Sequence, residues 1–113
     1  MKLLKPFSLL LLMTCPLFAF AGGANSGPRT IISIGCHLGS NACYADVDGA
    51  YVGPAGCVSN SIRWDPTASG GKENLSLLTA AYMAGKKVSF FVSDSCFTGQ
   101  TMYPTFFYTN LTN

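Results

Sequence analysis

The sequence predicts a small all-β domain with one helix, arranged as a five-stranded Greek-key barrel in which the helix lies between strands 3 and 4. Three observations support this prediction. Runs of β-branched and aromatic residues alternate with Gly- and Pro-rich turns, which is typical of short strands. A single segment repeats apolar residues at helical spacing. Once an apolar leader is removed, four cysteines remain in a chain too short for a large core, which indicates stabilisation by disulfides.

The first 21 residues have the three parts of a secretory signal peptide. Residues 1–5 are basic, residues 7–20 are apolar, and Ala19-Phe20-Ala21 is a small-x-small cleavage site. The apolar run is shorter than a permanent membrane span requires, and Pro16 interrupts it. The residues on either side of Cys15 fit a lipoprotein cleavage site poorly. We therefore expect cleavage after Ala21 and a secreted or periplasmic protein without a membrane span.

The remaining 92 residues carry five basic and five acidic side chains, so the net charge of the mature chain is about zero. Such a chain lacks the basic surface that nucleic-acid binding requires. Its four cysteines, Cys36, Cys43, Cys57 and Cys96, form an even set in an exported chain. This predicts two disulfides in an oxidising compartment, and the sequence leaves open which of the three pairings forms.

The predicted elements belong to one domain over residues 30–113. Residues 22–29 are expected to be a flexible lead-in, because their Gly, Ser, Asn and Pro show no apolar periodicity. The five predicted strands cover residues 29–34, 42–48, 57–64, 88–92 and 103–108. Pro104 lies near the start of the last strand, where a missing N–H is tolerated.

The one predicted helix covers residues 73–84. Leu75, Leu78 and Tyr82 recur at i, i+3 and i+7, so they are expected to face the core together. Gly85 follows at the position where a left-handed residue often ends a helix.

Asn74 is the predicted N-cap of this helix. With it, the order of elements is three strands, one helix and two strands. This is the order of the OB-fold, a five-stranded Greek-key barrel.

The residues that could support catalysis or metal binding do not form a convincing site. Cys36 precedes His37, but neighbours on a strand point to opposite sides and the cysteine is expected to be oxidised. No two cysteines have the C-x-x-C spacing of a zinc site. Residues 46–49 are similar to the start of a calcium-binding loop, but positions 5 and 12 of such a loop carry no Asp or Glu here. They fit a hairpin turn instead. We therefore predict a protein that is not an enzyme and that holds no cofactor or metal.

Aromatic residues are the most prominent feature, with 11 in the mature chain. In the adjacent pairs Phe90-Phe91 and Phe106-Phe107, one ring of each pair must face away from the interior, because side chains alternate along a strand. An outward ring requires a partner, either another subunit or a flat ligand such as a sugar ring. Trp64 fits either core packing or ligand contact.

Residues 37–108 resemble the pentameric, receptor-binding B subunits of bacterial one-A-five-B toxins, of the subtilase cytotoxin and typhoid toxin type. The matching features, in chain order, are His37-Leu38-Gly39, Cys43, Cys57, Ser61-Ile62-Arg63-Trp64, the helix end at Gly85, the aromatic strand from Val88, and Thr101-Met102-Tyr103-Pro104-Thr105-Phe106. Each motif is short, but their succession covers about three quarters of the mature chain.

The resemblance implies an OB-fold that assembles as a homopentamer, binds host glycans and acts with a catalytic A subunit. It implies that Cys43 pairs with Cys57 and Cys36 with Cys96. Arg29 occupies the place of the serine that contacts sialic acid in those subunits. The candidate ligand-binding residues are Arg29, Ser33, Trp64 and Tyr103. The alternative hypothesis is a small structural or inhibitory protein of the same fold without a sugar site.

Overall fold

The computed structural model describes residues 23–112, so the predicted signal peptide lies outside the described part of the chain. The elements are β1 (Ala24–Arg29), β2 (Ile31–Cys36), β3 (Cys43–Val47), β4 (Ser61–Trp64), α1 (Gly71–Ala84), β5 (Lys87–Cys96) and β6 (Pro104–Thr112). The predicted class, mostly β with one helix, is confirmed. No helix within residues 23–112 is long and apolar enough to cross a membrane.

A flexible lead-in was expected over residues 22–29, but Ala24–Arg29 form strand β1, which pairs antiparallel with β5. A register shift between Asn25 and Pro28 accommodates the small residues as a bulge at this sheet edge. The Ser26 hydroxyl accepts a hydrogen bond from the Phe90 N–H at 2.9 Å. The lead-in prediction failed because β5 supplies a pairing partner that local composition does not reveal.

The strands form two three-stranded antiparallel sheets, in the orders β1-β5-β6 and β2-β3-β4, and neither sheet closes on itself. Only Thr30 separates β1 from β2, so the chain passes directly from one sheet to the other. The Trp64 ring of β4 packs edge-on against Phe106 of β6, with 5.4 Å between the ring centroids. This contact brings the far strands of the two sheets together over the core.

The core lies between the two sheets and α1. Its fully buried side chains include Phe90, Ile62 and Leu78, and apolar burial of this kind is the main stabilising contribution to folding. Tyr82 was expected to face this core, but it is 41% exposed. The buried helical stripe is centred on Leu78 and Ala81, so Tyr82 lies at its margin.

The two ends of α1 differ in how well the sequence predicts them. Gly85 has a φ of 67° in the left-handed region and ends the helix, as predicted. The predicted N-cap is wrong, because the helix starts earlier and the N-cap position is Gly70. The Asn74 side-chain amide instead donates to the Gly70 carbonyl at 2.9 Å. At Gly71, a Cβ would lie 2.3 Å from the Asp65 carbonyl oxygen, so only glycine fits this close approach.

All four cysteines within residues 23–112 are paired, but in a different connectivity from the one that the resemblance implies. The disulfides are Cys36–Cys43 and Cys57–Cys96, not 43–57 and 36–96. Cys36 and Cys43 are register partners at the ends of β2 and β3, with Cα atoms 3.9 Å apart, so the hairpin itself places them together. The second bridge joins the segment before β4 to the end of β5. Two disulfides agree with an oxidising compartment.

Candidate functional site

The outward side of the β2-β3-β4 sheet carries a set of half-buried polar and aromatic residues. Alternation along β3 buries Cys43, Ala45 and Val47 and turns Tyr44 and Asp46 outward. Cross-strand pairing then aligns two rows on this side. We call these residues the outer face: Ser33, Gly35, Tyr44, Asp46, Ser61 and Arg63.

Two contacts organise the outer face on the β2 side. The Tyr44 ring lies over Gly35, where a Cβ would come within 2.6 Å of the tyrosine hydroxyl oxygen. Glycine at this position therefore allows the ring to lie against the strand. In the next row, the Ser33 hydroxyl donates to an Asp46 carboxylate oxygen at 2.7 Å. The predicted ligand residue Ser33 is thus on this surface, with its hydroxyl proton engaged by Asp46.

Three side chains, none of them a carboxylate, hold Arg63 in place. Its Nε–H donates to the Ser61 hydroxyl at 3.2 Å, and its Nη1 donates to the Gln100 side-chain oxygen at 2.5 Å. Nη1 also lies 3.3 Å from Nε2 of His37. These contacts join β4 to the loop after β2 and the loop between β5 and β6. No ion pair links Arg63 to a carboxylate among residues 23–112, so its charge is not compensated there.

Aromatic rings flank the same guanidinium group. Arg63 Cζ lies 3.5 Å from the centroid of the Tyr103 ring and 5.3 Å from that of Tyr44. At these distances the positive charge is attracted to the ring faces. His37 meets Tyr44 edge-on, with centroids 5.7 Å apart. We call the five residues His37, Tyr44, Arg63, Gln100 and Tyr103 the Arg63 platform.

A cavity of about 570 Å³ opens beside the platform. It is lined by His37, Arg63 and residues 99–103. Its lining therefore combines a fixed cation, amide and hydroxyl groups and the ring of Tyr103. Flat rings next to hydrogen-bonding groups are suited to ligands with an apolar face and polar edges, because each part of the ligand then meets a matching group.

The predicted residue Arg29 lies in a separate cleft of about 410 Å³, which shares no lining residue with the cavity at the platform. Its Nε–H donates to the Ser26 carbonyl at 2.9 Å, and Nη1 donates to the carbonyls of Asp48 and Ala50 at 2.6 and 2.7 Å. Arg29 thus fastens the β1–β2 corner to the turn after β3. Tyr51, 68% exposed, also lines this cleft.

Trp64 is part of the core. It is 5% exposed, and its indole N–H donates to the Gly71 carbonyl at 3.0 Å. Trp64 also lines a second cleft of about 420 Å³ beside the start of α1, and its contact with a ligand stays a prediction. Of the other three predicted residues, Tyr103 belongs to the platform, Ser33 to the outer face and Arg29 to the separate cleft.

Sequence reasoning missed Tyr44, Arg63 and Gln100, and it assigned His37 no binding role. The alternation of buried and outward residues in β3 and β4 is a signal that could have identified Tyr44 and Arg63. Nothing local identifies Gln100, which lies 37 residues after Arg63. Cys36 is disulfide-bonded, so the Cys36-His37 pair offers no thiol for catalysis.

A second surface feature, on the β1-β5-β6 sheet, consists of the half-buried Phe91 and the exposed Phe107 and Tyr108. Phe91 stacks on Tyr108 with centroids 5.0 Å apart and lies 6.1 Å from Phe107. Their neighbours Phe90 and Phe106 pack in the core. The prediction that one ring of each adjacent pair faces outward is therefore confirmed. We call these three residues the outer aromatic patch.

Comparison with known proteins finds no matching family model, no matching curated protein and no matching solved structure. The resemblance to toxin B subunits therefore stays a hypothesis that rests on the motifs of the sequence.

Proposed function

We propose that this chain is a secreted or periplasmic, non-catalytic carbohydrate-binding module of the toxin B subunit type, and that it contacts its sugar through the Arg63 platform. The observation that carries this proposal is the platform itself. Arg63, held by Ser61 and Gln100, stacks on Tyr103 beside a cavity large enough for a sugar ring. Such a surface offers a sugar both ring contacts and directed hydrogen bonds.

The proposed fold is an OB-type barrel, and the order of the strands supports it. If β1 and β2 are two halves of one bent first strand, the six strands correspond to five. The order of adjacent strands is then β4-β3-β2 in one sheet, and it continues as β1-β5-β6 in the other. The contact between Trp64 and Phe106 places β4 beside β6, where a five-stranded Greek-key barrel would close.

The proposed assembly is a ring of five copies that acts with a catalytic A subunit. The outer aromatic patch supports an assembly, because Phe107 and Tyr108 are 58% and 56% exposed on one surface. Clustered exposed rings are typical of protein interfaces. The same patch favours the alternative, a small structural or inhibitory protein whose partner covers these rings and which binds no sugar.

Screening the mature protein against a glycan array tests the proposed function. We expect binding to a subset of glycans, and we expect Tyr103→Ala to weaken it about tenfold, since a ring contact of this kind is worth about 1–2 kcal/mol. Tyr82→Ala is the matched control, because this ring lies on the helix away from the platform. Native mass spectrometry on the same samples measures assembly.

The two alternatives give different results in these measurements. An intact assembly that binds no glycan would contradict the carbohydrate-binding proposal and favour the structural or inhibitory protein. A strictly monomeric protein would contradict the five-membered ring. Equal loss of binding in Tyr103→Ala and Tyr82→Ala would show that the sugar does not contact the platform.

A further inference from the structure

We propose that the Arg63 platform selects a tetrahedral oxyanion ester on a sugar, a sulfate or a phosphate group, over a neutral or carboxylated sugar. This inference rests on the proposed function and names the ligand class of the same site.

The positive charge of Arg63 is not compensated within residues 23–112. Its partners Ser61, Gln100 and His37 are hydroxyl, amide and imidazole groups, and no carboxylate of residues 23–112 pairs with it. The nearest acid on the outer face, Asp46, is in the neighbouring row and accepts a hydrogen bond from Ser33. The residues that line the cavity include no acid. A cation fixed in this way attracts an anion without having to break an ion pair first.

The N–H groups of Arg63 that remain available to an anion are single and separated. A carboxylate binds arginine best through two parallel N–H groups on one edge of the guanidinium. Here Ser61 engages Nε, while Gln100 and His37 approach Nη1. Each edge therefore has one of its two N–H groups engaged, and Nη2 has no acceptor among the described residues. Single, separated donors suit an anion whose oxygens point in several directions.

Further hydrogen-bond donors line the same cavity as Arg63. Because the Gln100 side-chain oxygen accepts from Arg63, its amide nitrogen keeps two N–H donors. The hydroxyls of Thr101 and Tyr103 and the imidazole of His37 belong to residues that line the same cavity. A tetrahedral oxyanion can accept hydrogen bonds from several of these groups at once. A planar carboxylate or a sugar hydroxyl can use fewer of them.

The test is calorimetric titration of the mature protein with galactose 6-sulfate, galactose 6-phosphate, galacturonic acid and galactose. We expect one or both of the tetrahedral esters to bind at least tenfold more tightly than galactose and galacturonic acid. The ratio of the affinities for the two esters shows whether the site prefers a sulfate or a phosphate group. Binding should weaken as salt is added, because charge attraction contributes to it.

Two variants separate binding from a structural role of Arg63. Gln100→Glu places a carboxylate against Arg63, so it should abolish the preference for the esters while leaving the melting temperature unchanged or higher. Arg63→Lys keeps the charge but not the donor geometry, and we expect about tenfold weaker ester binding. Lys72→Gln removes one charge from the exposed start of the helix and should leave ester binding unchanged.

The failure of this inference is distinguishable from the failure of the proposed function. Glycan binding on the array that depends on Tyr103, combined with equal affinity for galactose and its sulfate and phosphate, would overturn the oxyanion inference alone. Undiminished ester binding by Gln100→Glu would also overturn it. Ester binding that is lost in Gln100→Glu and kept in Lys72→Gln supports it.

Discussion

Removal of the Cys57–Cys96 disulfide should lower the free energy of unfolding by about 4 kcal/mol, because this bridge closes a 39-residue loop. The Cys36–Cys43 bridge spans 7 residues, and its removal should cost about 2 kcal/mol by the same chain-entropy estimate. A domain of this size has a total stability of about 5–15 kcal/mol, so the first loss is a large share. Urea unfolding of Cys57→Ala/Cys96→Ala and Cys36→Ala/Cys43→Ala measures both values.

The same two double variants test the connectivity. If the pairs were 43–57 and 36–96, each double variant would break both bridges and leave two free thiols. Thiol titration would then find two reactive cysteines in each protein. With the observed pairs, each variant keeps one intact bridge and has no reactive thiol. Equal destabilisation by the two variants, together with free thiols, would contradict the connectivity described above.

Phe90→Ala should destabilise the protein by about 3–5 kcal/mol, because it removes a fully buried ring and leaves a cavity. The ring is 0% exposed and packs edge-on against Phe106, with centroids 5.5 Å apart. Phe106 in turn contacts Trp64, so this cluster joins both sheets. The loss should appear as a lower urea midpoint in the same unfolding experiment.

Phe107→Ala is the matched control, since it removes the same ring from the adjacent strand at a position 58% exposed. We expect its monomer stability to change by no more than about 0.5 kcal/mol. Its effect should instead appear in assembly, if the outer aromatic patch is an interface. A Phe90→Ala loss no larger than that of Phe107→Ala would show that the core does not lie between the two sheets at this position.

The features that the sequence predicted correctly depend on local patterns. The predicted strand over residues 88–92 follows from a run of β-branched and aromatic residues and lies within β5, and the helix end follows from Gly85. The presence of two disulfides follows from the even number of cysteines that remain after the predicted signal peptide. In each case, residues close together in the sequence carry enough information about the structure.

The features that the sequence did not predict depend on contacts between distant segments. Strand β1 exists because β5 offers an edge for it to pair with, although its own residues favour a loop. The disulfide pairing follows from the β2–β3 register, which places Cys36 opposite Cys43. The prediction for Tyr82 failed because helical spacing shows that an apolar stripe exists but not which residues lie at its centre.

The candidate site shows the same distinction more clearly. Tyr103 was a predicted ligand residue, but Arg63, whose guanidinium group lies over its ring, is on β4, 40 residues earlier in the chain. His37 and Gln100 reach Arg63 from 26 and 37 residues away along the chain. Such a cluster forms only when the loop after β2 and the loop between β5 and β6 meet beside β4. Trp64, the most conspicuous aromatic residue of the sequence, is instead part of the core.

The Arg63 platform is the proposed ligand-binding surface. The most direct test is a nuclear magnetic resonance titration with a glycan that the array identifies, following side-chain N–H groups. We expect the Arg63 Nε–H and the Gln100 amide resonances to shift together, while the Arg29 Nε–H stays unchanged. Shifts confined to Arg29 and the cleft around Tyr51, with Arg63 and Gln100 unaffected, would contradict the claim.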